Sequence, residues 1–72
     1  MNYEQRAKMN RFSDMLWALG DAQPTAHQVD RLISWAIGNL DCDYWTTAAE
    51  EAAMAGVGAV YTELTMRAGE GC

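Results

Sequence analysis

Six apolar residues, Val29, Leu32, Ile33, Ala36, Ile37 and Leu40, recur at i, i+3, i+4, i+7, i+8 and i+11. That period fits one stripe of an α-helix and no strand, whose side chains alternate every second residue. Thr25 and Gln28 precede the stripe at the spacing of a capping box, in which each side chain satisfies the other's backbone N–H. A helix is therefore expected over about 26–38, ending near Gly38-Asn39.

The same reading extends to both sides. Met9, Phe12, Leu16 and Leu19, with Met15 beside them, form a helical stripe in a segment running from about 3 to 19. Gly20 is the expected stop, because glycine adopts the left-handed conformation cheaply. After Asp41-Cys42-Asp43-Tyr44-Trp45, Thr47 with Glu50 suggests a second capping box, with Thr46 and Asp43 as other caps. A third helix is expected over about 47–67. Its inward stripe would be Ala49, Ala53, Gly56, Val57, Val60 and Leu64, with Gly69 as its stop. The small first half of that stripe would let helix axes approach closely; a kink near Gly56-Val57-Gly58 is the competing account. No segment alternates as a strand. The expected fold is all-α, a single-domain compact three-helix bundle with a flexible tail over 69–72.

Seventy-two residues hold one domain with a thin margin of stability. Charge separates the chain into unequal parts. The net formal charge is +2 over 1–11 (Arg6, Lys8 and Arg11 against Glu4), −7 over 12–66 and 0 over 67–72. The central stretch holds Asp14, Asp21, Asp30, Asp41, Asp43, Glu50, Glu51 and Glu63 with Arg31 as its single base. Direct nucleic-acid binding is disfavoured, because it needs clustered Lys and Arg to displace phosphate counterions. An anionic membrane surface is disfavoured for the same reason. A larger protein with a basic surface is the expected partner, since charge of one sign speeds such encounters. The N-terminal residues lack the apolar core of a signal peptide, and no run reaches the roughly 20 apolar residues of a membrane span. Cys42 and Cys72 form no disulfide framework, so reduced thiols and a cytoplasmic location are expected.

Catalytic constellations are not evident. His27, the only histidine, falls at the second position of its helix and off the apolar stripe; Ser13 and Ser34 lie in no nucleophile motif around it. Asp41-Cys42-Asp43 with His27 lacks the paired Cys and His spacing of a zinc site, so no metal is expected. Glu50, Glu51 and Glu63 project in different directions, and no glycine-rich phosphate loop occurs; no cofactor and no enzymatic activity are expected.

The aromatic residues are the stronger lead. Trp17 lies about 100° from Leu16 around its helix, and Trp35 about 60° beyond Leu32. Tyr44 and Trp45 sit beside Asp41 and Asp43. Such rings either widen a small core or anchor a partner, and Trp, Tyr and Arg dominate interface hot spots. The expected partner-binding set is Asp41, Asp43, Tyr44, Trp45, Glu50, Glu51, Trp35 and Trp17. The alternative is a self-associating homodimer or helical adaptor subunit, packed through Ala49, Ala53 and Gly56.

In size, acidity and helicity the chain resembles small phage-encoded inhibitor proteins of the anti-CRISPR type. That resemblance implies a non-enzymatic mimic of nucleic acid, docking its acids on a host groove that normally holds nucleic acid.

Overall fold

The computed structural model describes residues 3–70. Helix α1 spans Tyr3–Asp21, α2 spans Ala26–Asn39, a 3₁₀ turn spans Cys42–Tyr44, α3 spans Trp45–Ala55 and α4 spans Gly58–Gly69. The fold is all-α. Where three helices were expected, the described residues form four α-helices, because the third segment is two helices. Of the tail expected over 69–72, Gly69 is the last residue of α4 and Glu70 its cap; Gly71 and Cys72 lie outside the described residues.

Helix α2 starts as its sequence predicts. Gln28 N–H donates to Thr25 Oγ1 at 3.2 Å, and Thr25 N–H donates to Gln28 Oε1 at 2.9 Å. The other expected box does not form. Helix α3 begins at Trp45, its cap residue Tyr44 makes no side-chain capping bond, and Asp41 makes none to the 3₁₀ turn. The reason is continuity. Tyr44 N–H donates to Asp41 O and Trp45 N–H to Cys42 O, so the 3₁₀ turn runs straight into α3. Thr47 is then inside the first turn rather than ahead of it.

The break between α3 and α4 is a left-handed glycine cap. Gly56 has φ of 82°. Its N–H reaches Ala53 O at 3.2 Å, and Val57 N–H reaches Ala52 O at 2.9 Å, the paired bonds of a Schellman motif. Val57, just past the cap, is buried. A left-handed residue resets the helical phase, so one stripe cannot run through it. Ala48, Ala49 and Ala52 face the core from α3, and Val57, Val60 and Leu64 from the cap and α4. Ala53 and Gly56, expected inward, are exposed.

The core centres on Phe12 and Leu16 of α1 and Val60 and Leu64 of α4, all fully buried. Leu32, Ala36 and Leu40 close it from α2. Gly20 does not end α1, which continues to Asp21. A Cβ at Gly20 would lie 2.6 Å from the carbonyl oxygen of Ala55, so this glycine permits the close approach of α1 to the end of α3. At the other end of α1, the buried Gln5 donates to Asn39 O at 3.3 Å and accepts from Asp41 N–H at 2.9 Å. One carboxamide thus satisfies backbone groups that the end of α2 leaves open.

Candidate functional site

The expected partner-binding residues fall in three places rather than one. Asp41 and Asp43 are exposed on the α2–α3 connection, and Glu50 is exposed on the outer line of α3. Tyr44 and Trp45 in that connection are half-buried and pack against the core. Trp45 Nε1 donates to Leu40 O at 3.2 Å, so its polar edge is spent inside the molecule. These two rings brace the connection and offer a partner only part of their surface.

Glu51 and Trp17 belong to the seam between α1 and α3. Ser13 Oγ donates to Glu51 Oε1 at 3.0 Å across this seam, in a half-buried setting. Trp17 follows Ser13 by one turn and precedes Gly20 by three residues, so it lies on the same edge of α1. It is 45% exposed. Asp14 and Asp21 stand at i−3 and i+4 from it, and all three share the outward side of α1. The two carboxylates are about 10 Å apart along the axis at the helical rise. Among the described residues neither makes an ion pair; the two present join Lys8 to Glu4 at 3.5 Å and Arg67 to Glu63 at 2.9 Å. Asp21 also occupies the last turn of a helix that carries no base there. The negative end of the helix dipole opposes an acid at that position. Asp14 and Asp21 were not singled out from the sequence as binding residues, although the spacing Asp14-x₂-Trp17-x₃-Asp21 is visible in it.

Trp35 lies elsewhere, in an open groove between α1 and α2 lined by Met15, Leu19, Gln28, Arg31, Leu32 and Trp35, with a volume near 290 Å³. His27 is exposed at the second position of α2. Among the described residues no three His, Cys, Asp or Glu side chains gather as a metal site, and no helix is long and apolar enough to cross a membrane.

The alternative interface does not come together. Ala49 is 1% exposed and already packed in the core, whereas Ala53 and Gly56 face outward. The three share no surface, because Ala49 is at one side of the buried arc formed with Ala48 and Ala52, and Ala53, about 40° further around α3, falls just outside that arc.

No protein family, curated protein or solved structure matches this chain.

Proposed function

We propose that this chain is a non-enzymatic binding protein that inhibits a larger, basic, nucleic-acid-binding protein complex by covering its surface, in the manner of anti-CRISPR proteins. The observation that carries the reading is the half-exposed Trp17 set between two unpaired carboxylates, Asp14 and Asp21. An indole supplies apolar contact area at low entropic cost, and flanking acids select a basic surround. Asp21 adds a physical hint. It stands where the helix dipole disfavours it and no internal cation relieves it. A lysine or arginine of a partner would supply that relief. The exposed Asp41, Asp43 and Glu50 extend the negative field and steer the encounter. Competition with nucleic acid would then be steric and electrostatic.

The test is capture from a bacterial lysate on three immobilised proteins: wild type, Trp17→Ala and the double variant Asp14→Lys/Asp21→Lys. The reading expects a nucleic-acid-binding complex on the wild type, released as salt is raised and lost from both variants. Equal retention by all three would sink it.

A further inference from the structure

Arg31 is the only base between Phe12 and Met66, and among the described residues it forms no ion pair. Asp30 is its chain neighbour, yet the two form no ion pair. Arg31 instead lines the α1–α2 groove, whose wall holds no carboxylate. The floor is apolar: Leu32 is buried, and Met15, Leu19 and Trp35 are half-buried. Helical spacing sets Arg11 one turn ahead of Met15, on the same edge of α1. Arg11 itself, however, opens onto a different hollow, beside Glu4, Lys8 and Asp14. One guanidinium group, that of Arg31, therefore borders an apolar trough in a chain of net charge −5.

The groove between α2 and α4 is the natural comparison. It too has an aliphatic floor, Val29, Ile33 and Ile37. Its base, Arg67, is held by Glu63 at 2.9 Å, and Asp30 also lines it. In that groove the base is paired, whereas Arg31 lines the α1–α2 groove with no ion pair among the described residues, Asp30 standing beside it on the outer side with His27, Ser34 and Trp35. Trp17 stands two residues from both Met15 and Leu19, or about 200° around α1, so this trough lies on the side opposite the acidic face.

We propose that the α1–α2 groove, floored by Met15, Leu19, Leu32 and Trp35 and rimmed by Arg31, receives an acidic segment of a partner protein that inserts one apolar side chain. Charge complementarity selects the occupant. The apolar anchor meets Trp35 and the aliphatic floor, and a carboxylate meets the guanidinium, which binds such groups in bidentate fashion. The site is separate from the acidic face and of opposite preference.

The test is selection of a random displayed-peptide library on the full chain, followed by titration of the enriched peptides into isotope-labelled protein. Enriched peptides should combine Asp or Glu with Leu, Ile or Phe, and should shift the Trp35 indole N–H and the Met15 and Leu19 signals. Arg31→Glu should weaken them by roughly tenfold or more, and Arg31→Lys should retain part of the binding. Basic peptides, peptides indifferent to Arg31→Glu, or no enrichment would each overturn the proposal. Concentration-dependent shifts at the same residues without peptide would overturn it in favour of a second copy of this chain. Trp17→Ala leaves this groove intact, so failure here and failure of the acidic face are read separately.

Discussion

The side-chain oxygen of Gln5 accepts the backbone N–H of Asp41 at 2.9 Å, across 36 positions of sequence. With the bond from its Nε2 to Asn39 O, it makes Gln5 the polar clasp between the start of α1 and the α2–α3 connection. Gln5→Ala should lower stability by about 1–3 kcal/mol, because it strands a buried backbone donor and acceptor. Gln5→Glu keeps an acceptor for Asp41 N–H but buries a carboxylate against Asn39 O at the negative end of α2, so at neutral pH it should cost at least as much as Gln5→Ala. Urea denaturation of the three proteins measures this, and equal midpoints would show that water replaces the clasp at no cost.

Two glycines should respond in opposite directions to alanine. Gly20→Ala places a methyl against Ala55 O and should destabilise by about 1–3 kcal/mol through forced separation of α1 and α3. A Cβ at Gly38, inside α2, meets nothing within 4 Å. Gly38→Ala should therefore stabilise by up to about 1 kcal/mol, from helix propensity alone. Thermal melts of both variants decide the point. A stabilised Gly20→Ala would mean that the two helices are not packed this closely.

Asp21 should show a trade between stability and binding. Asp21→Asn removes an acid from the negative end of α1 and should raise stability by about 0.3–1 kcal/mol at low salt, with the gain shrinking as salt is added. The same change should weaken capture of a basic partner. A loss of stability on Asp21→Asn would contradict the unfavourable placement.

The three tryptophans should differ in access to solvent. In variants retaining one tryptophan each, with phenylalanine at the other two, acrylamide should quench Trp17 most strongly. Trp35 and Trp45 are half-buried and should be quenched less. Comparable quenching of all three would remove the case for Trp17 as the anchor.

Much of this fold was legible because period and capping are local. The α2 stripe and its Thr25–Gln28 box appear as the spacing implies, and Phe12 and Leu16 sit at the centre of the core. The third segment was misread where locality fails. Periodicity cannot mark a break when helix resumes two residues later; spacing places Gly56 in the inward stripe, and the competing kink over Gly56-Val57-Gly58 has the right position, where the structure has a full break at a left-handed cap. The Thr47–Glu50 spacing was a false signal, because a 3₁₀ turn had already begun the helix upstream. Gln5 gave no signal at all, since its partners are backbone groups set by tertiary contact. For the site, Trp17 was legible as lying off its stripe. Its pairing with Asp14 and Asp21 needed α1 to carry them on one outward face. Trp45 could not be separated from Trp17 until its indole was seen bonded to Leu40.

Helix α1 is a wall shared by two rooms. Its one edge carries Trp17 and, on the outward side, its acids; its other edge supplies Met15 and Leu19 to the trough beside α2. It is held at its ends by Gln5 and by the fit of Gly20 on Ala55. Loosening α1 dismantles both surfaces together, and a ligand seated on either one resists that loosening. Linkage makes any such effect mutual: the factor by which a ligand at one edge changes affinity at the other is the factor it receives in return.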